Sequence, residues 1–134
     1  MRELSPKQRE IRSRERRILD AAFPLLSEGG IDAIRMDRIA ESIGCTRGTV
    51  YNHFRNREEI LIALASRAVA RRNHLFAFAR TLGPSSRFRC QAIGLAAEVY
   101  ADQMPNDFLI EQVTRHDPVW QKASPQRQQL LAES

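Results

Sequence analysis

The stretch MDRIAESIGCTRGTVYNHF, Met36–Phe54, reads as two short helices joined by a tight turn. Met36, Ile39 and Ile43 recur at helical spacing and predict one apolar face on the first of these helices. Gly44 can adopt the left-handed conformation that ends a helix, and a hydroxyl residue stands where the next helix needs its cap. Such a pair is the helix-turn-helix arrangement, whose second helix can enter the major groove of DNA.

The second helix, from Thr46 to about Phe54, has two chemically different faces. At about 100° per residue, Val50 and Phe54 fall together and predict the inward face. Gly48, Thr49 and Asn52 fall on the opposite side, and Arg47 sits at the first turn, where the helix would enter the groove. The exposed groups are thus an arginine suited to guanine, an asparagine suited to adenine, a threonine with a methyl and a hydroxyl group, and a glycine that allows close backbone approach. We therefore predict base contacts from Arg47, Gly48, Thr49 and Asn52.

The same region carries groups that bind phosphate. Thr46 at the helix N-terminus, the Tyr51 hydroxyl and Arg57 are predicted to contact the DNA backbone. Each position also has a structural explanation, because Thr46 caps the helix whatever its function, and Tyr51 and His53 could simply pack on the next helix. Helix pairs of this kind also occur in proteins that never contact DNA, so spacing alone leaves the function open.

Composition bounds the class of protein. The 134 residues are 43% apolar and 28% charged, which suits one compact unit or two small ones sharing a core. The net charge of +5 comes mostly from arginine and allows a nucleic-acid partner without requiring one. The two cysteines lack metal or redox spacing, and the three histidines are scattered. With no Gly-rich phosphate loop and no Ser/His/Asp grouping, we predict neither an enzyme nor a metal or cofactor site.

The start of the chain, MRELSPKQREIRSRERR, is charged and lacks the apolar core of a signal peptide. No apolar run approaches the roughly 20 residues needed to span a bilayer. We therefore predict a cytoplasmic protein with reduced thiols and no membrane partner.

The chain reads as helical almost throughout, so we predict an all-α fold. A first helix begins at Ser5-Pro6 and ends at Gly29-Gly30, and Pro24 should kink it. Its apolar face is predicted to consist of Ile11, Ile18, Leu19, Ala22, Leu25 and Leu26. A fourth helix over 57–82, capped by Asn56, would be about 40 Å long and would reach out of a three-helix head. Further helices are predicted over about 85–103 and 106–115, and from residue 124.

Three segments carry a resemblance to a known family: RRILDAAFPLLSEGG, IDAIRMDRIAESIG and CTRGTVYNHFRNREEIL. The glycine-threonine pair, the tyrosine two residues beyond it, and the phenylalanine before a basic and acidic run are the most specific parts. From about Arg14 to Leu64 the chain resembles the DNA-binding domain of the TetR (tetracycline-repressor-type) family of bacterial transcription regulators.

The resemblance implies roles for individual residues. Arg47, Gly48, Thr49 and Asn52 would face bases. The residues facing the DNA backbone would be Thr46, Tyr51, His53 and Arg57. Arg35 occupies a place where members often carry a hydroxyl residue, and we include it as a phosphate contact.

The resemblance also implies the organisation of the chain. Residues 1–72 would form the DNA-binding domain, and residues 73–134 would form part of a helical domain for ligand binding and dimerisation. In that second part, Phe76, Tyr100, Met104 and Trp120 are predicted to line a pocket for an apolar or aromatic effector. The alternative is that most of these side chains are core.

We therefore predict a ligand-responsive repressor that binds a palindromic double-stranded DNA operator as a homodimer. The alternative is a small-molecule binding or sequestering protein in which the helix-turn-helix is only structural. The segment from Ser124 reads as a helix that has barely begun, with Leu130 and Leu131 apolar and no later helix to cover them. We accordingly expect a shortened member of the family, one that dimerises weakly or through a substitute surface.

Overall fold

The structure, a computed structural model, describes residues 3–115 and 121–132. All regular structure within these ranges is helical, which confirms the predicted all-α class. The chain packs as two units, residues 1–60 and 61–134, and the division falls in the first turn of a helix that continues from one unit into the other. The predicted boundary after residue 72 divides the chain by function and stays a prediction.

The first unit holds the predicted head. It contains α1 (Pro6–Ala22), α2 (Leu25–Gly29), a short 3-10 helix (Gly30–Ala33), α3 (Met36–Ile43) and α4 (Arg47–His53). The continuous helix is α5 (Arg57–Ala79), and the second unit adds α6 (Ser86–Gln103), α7 (Pro105–Thr114) and α8 (Pro125–Ala132). No helix in the described ranges is both long enough and apolar enough to cross a membrane.

The start of α1 and its interruption both follow the sequence. The Ser5 hydroxyl accepts the backbone N–H of Gln8 at 3.2 Å, and the Gln8 side chain accepts the N–H of Ser5 at 3.0 Å. This capping box confirms the predicted start. Pro24 has no N–H to donate, so α1 ends at Ala22 and a separate helix follows. The predicted kink is therefore a complete break.

The core of the first unit is apolar and almost fully buried. Ile18, Ile34, Ile39, Val50 and Phe54 are each no more than 1% exposed. The prediction that Ile11 lies on the buried face is wrong, because its side chain is 42% exposed. Residues 6–14 of α1 are all exposed, so the first turns of the helix extend beyond the core that holds its later turns.

Helix α5 begins as predicted and ends three residues early. The N–H of Glu59 donates to the Asn56 side chain at 2.9 Å, which confirms the predicted cap. At the other end, the N–H groups of Thr81 and Leu82 donate to carbonyls three residues back, at 2.9 and 3.1 Å. These tighter turns replace the last helical turn before Gly83, whose φ is +80°. At about 1.5 Å per residue, the helix is about 34 Å long.

Candidate nucleic-acid interface

Local chemistry fixes the turn between α3 and α4. Gly44 has φ +69° and ψ 34°, the left-handed conformation predicted for it, and the N–H of Cys45 donates to the carbonyl of Ala40 at 3.0 Å. The Thr46 hydroxyl accepts the N–H of Thr49 at 3.2 Å, which confirms the predicted cap. Both ends of the turn are thus held by hydrogen bonds that these few residues supply.

The two faces of α4 separate as the spacing predicts. Val50 and Phe54 are fully buried, whereas Arg47, Gly48 and Asn52 are exposed. Thr49 is half-buried, and its hydroxyl lies 3.1 Å from the hydroxyl of the Thr46 cap. Gly48 and Asn52 therefore lie on the open face of the helix and Arg47 lies at its exposed first turn, whereas Thr49 is partly covered beside the cap.

Gly48 is not required by packing within this unit. A Cβ atom built at this position would meet only the Thr46 hydroxyl oxygen, at 3.7 Å, which is ordinary van der Waals contact. Glycine inside a helix costs about 1 kcal/mol relative to alanine. The unit therefore has glycine, a poorer helix former than alanine, at a position where alanine would fit.

The residues predicted to contact phosphate differ in their surroundings. Tyr51 is 44% exposed on α4. The side chain of Arg35 is 63% exposed and lies 3.5 Å from Asp37, and that of Arg57 is 38% exposed and lies 3.9 Å from Asp32. Exposed ion pairs of this kind contribute little stability. Either arginine can therefore exchange its carboxylate for a phosphate at small cost.

His53 occupies a more enclosed place than the other predicted contacts. Its side chain is 10% exposed, and Nδ1 lies 4.0 Å from a carboxylate oxygen of Glu15 on α1. The imidazole is therefore directed toward α1. Its contact with phosphate stays a prediction.

A cavity of about 370 Å³ lies between α1, the turn and α4. Its lining residues are Arg14, Arg17, Ile18, Ile43, Gly44, Cys45, Thr49 and His53. Sequence reasoning did not assign Arg14 or Arg17 to this region. The available signal was their spacing of three residues, which places both arginines on one side of α1.

In the second unit, two of the four predicted pocket residues line the same cavity. Phe76 and Tyr100 line one cavity of about 310 Å³ together with Phe108. The rings of Tyr100 and Phe108 meet edge to face, with centroids 6.4 Å apart. Met104 is half-buried between α6 and α7 and is not among the residues lining that cavity, and Trp120 lies outside the described residues.

The wall of this cavity contains a buried polar network. The Tyr100 hydroxyl donates to Glu111 at 2.7 Å, and Glu111 also pairs with Arg72. Nearby, Arg71 Nε donates to Asp107 at 3.1 Å. Burial comes first among the causes that raise the pKa of Tyr100 above its ordinary value of 10.0, followed by the hydrogen bond to Glu111 and its negative charge. Residue type and spacing did not predict this network.

The head also matches a known family. The family model for the bacterial regulatory proteins of the tetR family matches residues 18–64, which include all of α3, the turn and α4. Residues 18–64 therefore form a DNA-binding region of the tetR type. This match agrees with the helix-turn-helix geometry and with the exposed polar face of α4.

Individual members of the tetR family show how far the similarity extends. The chain is 30% identical over 126 residues to the HTH-type transcriptional repressor Rv1474c of Mycobacterium tuberculosis, a match covering 90% of this chain and 61% of that repressor. It is 39% identical over 54 residues to the class D tetracycline repressor protein of Escherichia coli, covering 40% of this chain and 25% of that protein. A third match, to the repressor KstR of Mycolicibacterium smegmatis, is 35% identical over 60 residues, covering 45% and 29% respectively.

Proposed function

We propose that the chain is a sequence-specific DNA-binding transcriptional repressor. The observation that carries the proposal is the division of α4, which buries Val50 and Phe54 and exposes Arg47, Gly48 and Asn52. If α4 were only structural, alanine would suit position 48 better than glycine, because the packing of the unit does not require glycine there. The match of residues 18–64 to the tetR family model, and similarity to proteins named as repressors, support the same function.

Recognition would come from α4 in the major groove. Arg47, at the first turn, can pair with O6 and N7 of a guanine, and Asn52 can pair with N6 and N7 of an adenine. Each such pair discriminates against a wrong base by about 1–3 kcal/mol. Thr49 would add its methyl or hydroxyl group, and Gly48 would let the helix backbone approach the bases.

Contacts with the DNA backbone would set the position of α4. Thr46, Tyr51 and Arg57 would bind phosphates around the half-site, and Arg35 and His53 would add to them. Such contacts fix the register of the protein on DNA and carry no sequence information themselves.

We further propose that two chains bind one palindromic operator and that a small effector releases them. Residues 1–72 would bind DNA, and residues 73–134 would bind the effector and the second chain. In the cavity of the second unit, the rings of Phe76, Tyr100 and Phe108 support an effector with an aromatic part, and Arg72 and Glu111 add charged groups to the same lining. Effector binding would change the spacing of the two heads, so that both recognition helices no longer fit one operator.

Selection of bound sequences from a random duplex pool tests the proposed function. We expect enrichment of one motif, arranged as two inverted half-sites. A chain that shows no enrichment and no salt-dependent affinity for any duplex would contradict the proposal and favour a small-molecule binding protein.

A further inference from the structure

The exposed part of α1 holds most of the net charge of the chain. Residues 7–17 contain six basic residues and two acidic ones, a net charge of +4, whereas the whole chain carries +5. The basic residues are Lys7, Arg9, Arg12, Arg14, Arg16 and Arg17. The remainder of the chain is therefore almost neutral. The first buried residue of α1 is Ile18, so packing does not explain the charge before it.

Two of these arginines lie beside the recognition helix. Arg14 and Arg17 line the same cavity as Thr49 and His53 of α4. Arg17 is exposed, and the Arg14 side chain is 54% exposed, in an ion pair of 2.8 Å with Glu10 one helical turn earlier. Such an exposed pair contributes little stability. A phosphate can therefore replace Glu10 as the partner of Arg14.

We propose that Arg14 and Arg17 bind phosphates of the DNA strand that borders the groove occupied by α4. The inference rests on the proposed function and adds a second element, α1, to the DNA-binding surface. The major groove is about 12 Å wide, and a helix with its side chains is about 10–12 Å across. A helix in the groove is thus flanked closely by both backbones, and exposed arginines beside that helix would lie within reach of one of them.

The chemistry of the pair suits this role. A guanidinium group is always charged at neutral pH and can donate two parallel hydrogen bonds to one phosphate. Each phosphate that a protein neutralises releases counterions, so the logarithm of the binding constant falls with the logarithm of salt concentration by about 0.9 per contact on duplex DNA. Loss of the phosphate contacts of Arg14 and Arg17 should therefore reduce the salt dependence of binding by a predictable amount.

The test measures binding to a fluorescent random-sequence duplex between 50 and 200 mM KCl for three chains. The chains are the wild type, Arg14→Gln/Arg17→Gln, and the matched control Arg9→Gln/Arg16→Gln, which removes the same charge from the same helix outside the cavity lining. We expect Arg14→Gln/Arg17→Gln to reduce the salt slope by roughly 1.8 and to weaken binding at 100 mM KCl by roughly tenfold or more. The control should keep a slope close to that of the wild type.

Other results would contradict either the role of Arg14 and Arg17 or the proposed function. Equal slopes for the wild type and Arg14→Gln/Arg17→Gln would overturn the inference while leaving the proposed function in place, because the wild type still binds. Equal losses in both double variants would also overturn it, since the helix would then act through its total charge. A wild type without salt-dependent binding would overturn the proposed function itself. Arg14→Lys/Arg17→Lys should restore most of the slope, and thermal melting checks that each variant remains folded.

Discussion

At Gly48, the fold would accept a side chain, whereas the proposed recognition of DNA would not. Because a Cβ atom at this position meets only the Thr46 hydroxyl, at 3.7 Å, alanine fits within this unit, and the position is exposed to solvent. We expect Gly48→Leu to melt at the same temperature as the wild type or higher, since glycine is the poorer helix former. The leucine side chain would occupy the space that bases need, so binding to the selected duplex should be lost. Melting and gel shift on one sample check both parts, and normal binding would show that the backbone does not approach the bases.

Substitution of Arg47 and substitution of Arg57 should weaken DNA binding in different ways. Arg47→Ala should cost about 1–3 kcal/mol on the selected duplex and relax the base preference at one position. Arg57→Ala should weaken binding to selected and random duplexes alike and reduce the salt slope by about 0.9. Titrations of both variants on both duplexes provide the comparison. Equal losses for Arg47→Ala on the two duplexes would make it a phosphate contact only.

Among the helices, the buried network of the second unit should have a measurable effect on stability. Tyr100→Phe removes the hydroxyl that donates to Glu111, so we expect the free energy of unfolding at pH 8 to fall by about 1.5–3 kcal/mol. The raised pKa of Tyr100 adds a pH dependence, because above pH 10 the unfolded chain loses this proton while the folded chain keeps it. The stability that Tyr100 contributes is therefore complete below pH 10 and declines above it.

Urea unfolding of the wild type and Tyr100→Phe from pH 8 to pH 11 tests this account. The difference between the two proteins should be constant up to about pH 10 and should narrow beyond it. A constant difference over the whole range would show that the hydroxyl keeps its ordinary pKa in the folded chain.

The helices also show which features a sequence can predict. The caps at Ser5, Thr46 and Asn56 are contacts across three residues, so residue type and spacing sufficed to predict them. The end of α5 depended on competition between helical and tighter hydrogen bonds, which spacing does not resolve. The pairing of Arg71 with Asp107 joins residues 36 positions apart, and only the packing of α5 and α7 brings them together.

The candidate site divides in the same way. The exposure of Gly48 and Asn52 and the burial of Val50 and Phe54 follow from helical periodicity, whereas Arg47 is exposed at the first turn and Thr49 is half-buried. The cavity shared by Arg14 and Arg17 with Thr49 depends on how α1 packs beside α4, so it emerged only from the structure. For the second unit, the aromatic residues indicated a pocket, but its lining comes from three helices and leaves Met104 out.

At the scale of the whole molecule, the proposed dimer makes a quantitative prediction about avidity. If two chains are joined, the second head binds its half-site at a high effective concentration, and affinity for a duplex with two half-sites should exceed that for one half-site by roughly a hundredfold. Sedimentation should find two chains on each palindromic duplex. Independent binding of single chains, with equal affinity for each half-site, would contradict the proposed dimer. Leu130 and Leu131 are predicted to be buried in a substitute dimer surface, and their side chains lie outside those that the structure describes.

The most direct test of the central claim, that α4 reads base sequence, is selection from a random duplex pool with three chains in parallel. The wild type should enrich a single motif. Arg47→Ala should lose the preference for one guanine and Asn52→Ala the preference for one adenine, with the other positions of the motif unchanged. The same motif recovered unchanged by all three chains, or no motif from the wild type, would contradict the claim that this face of α4 recognises DNA.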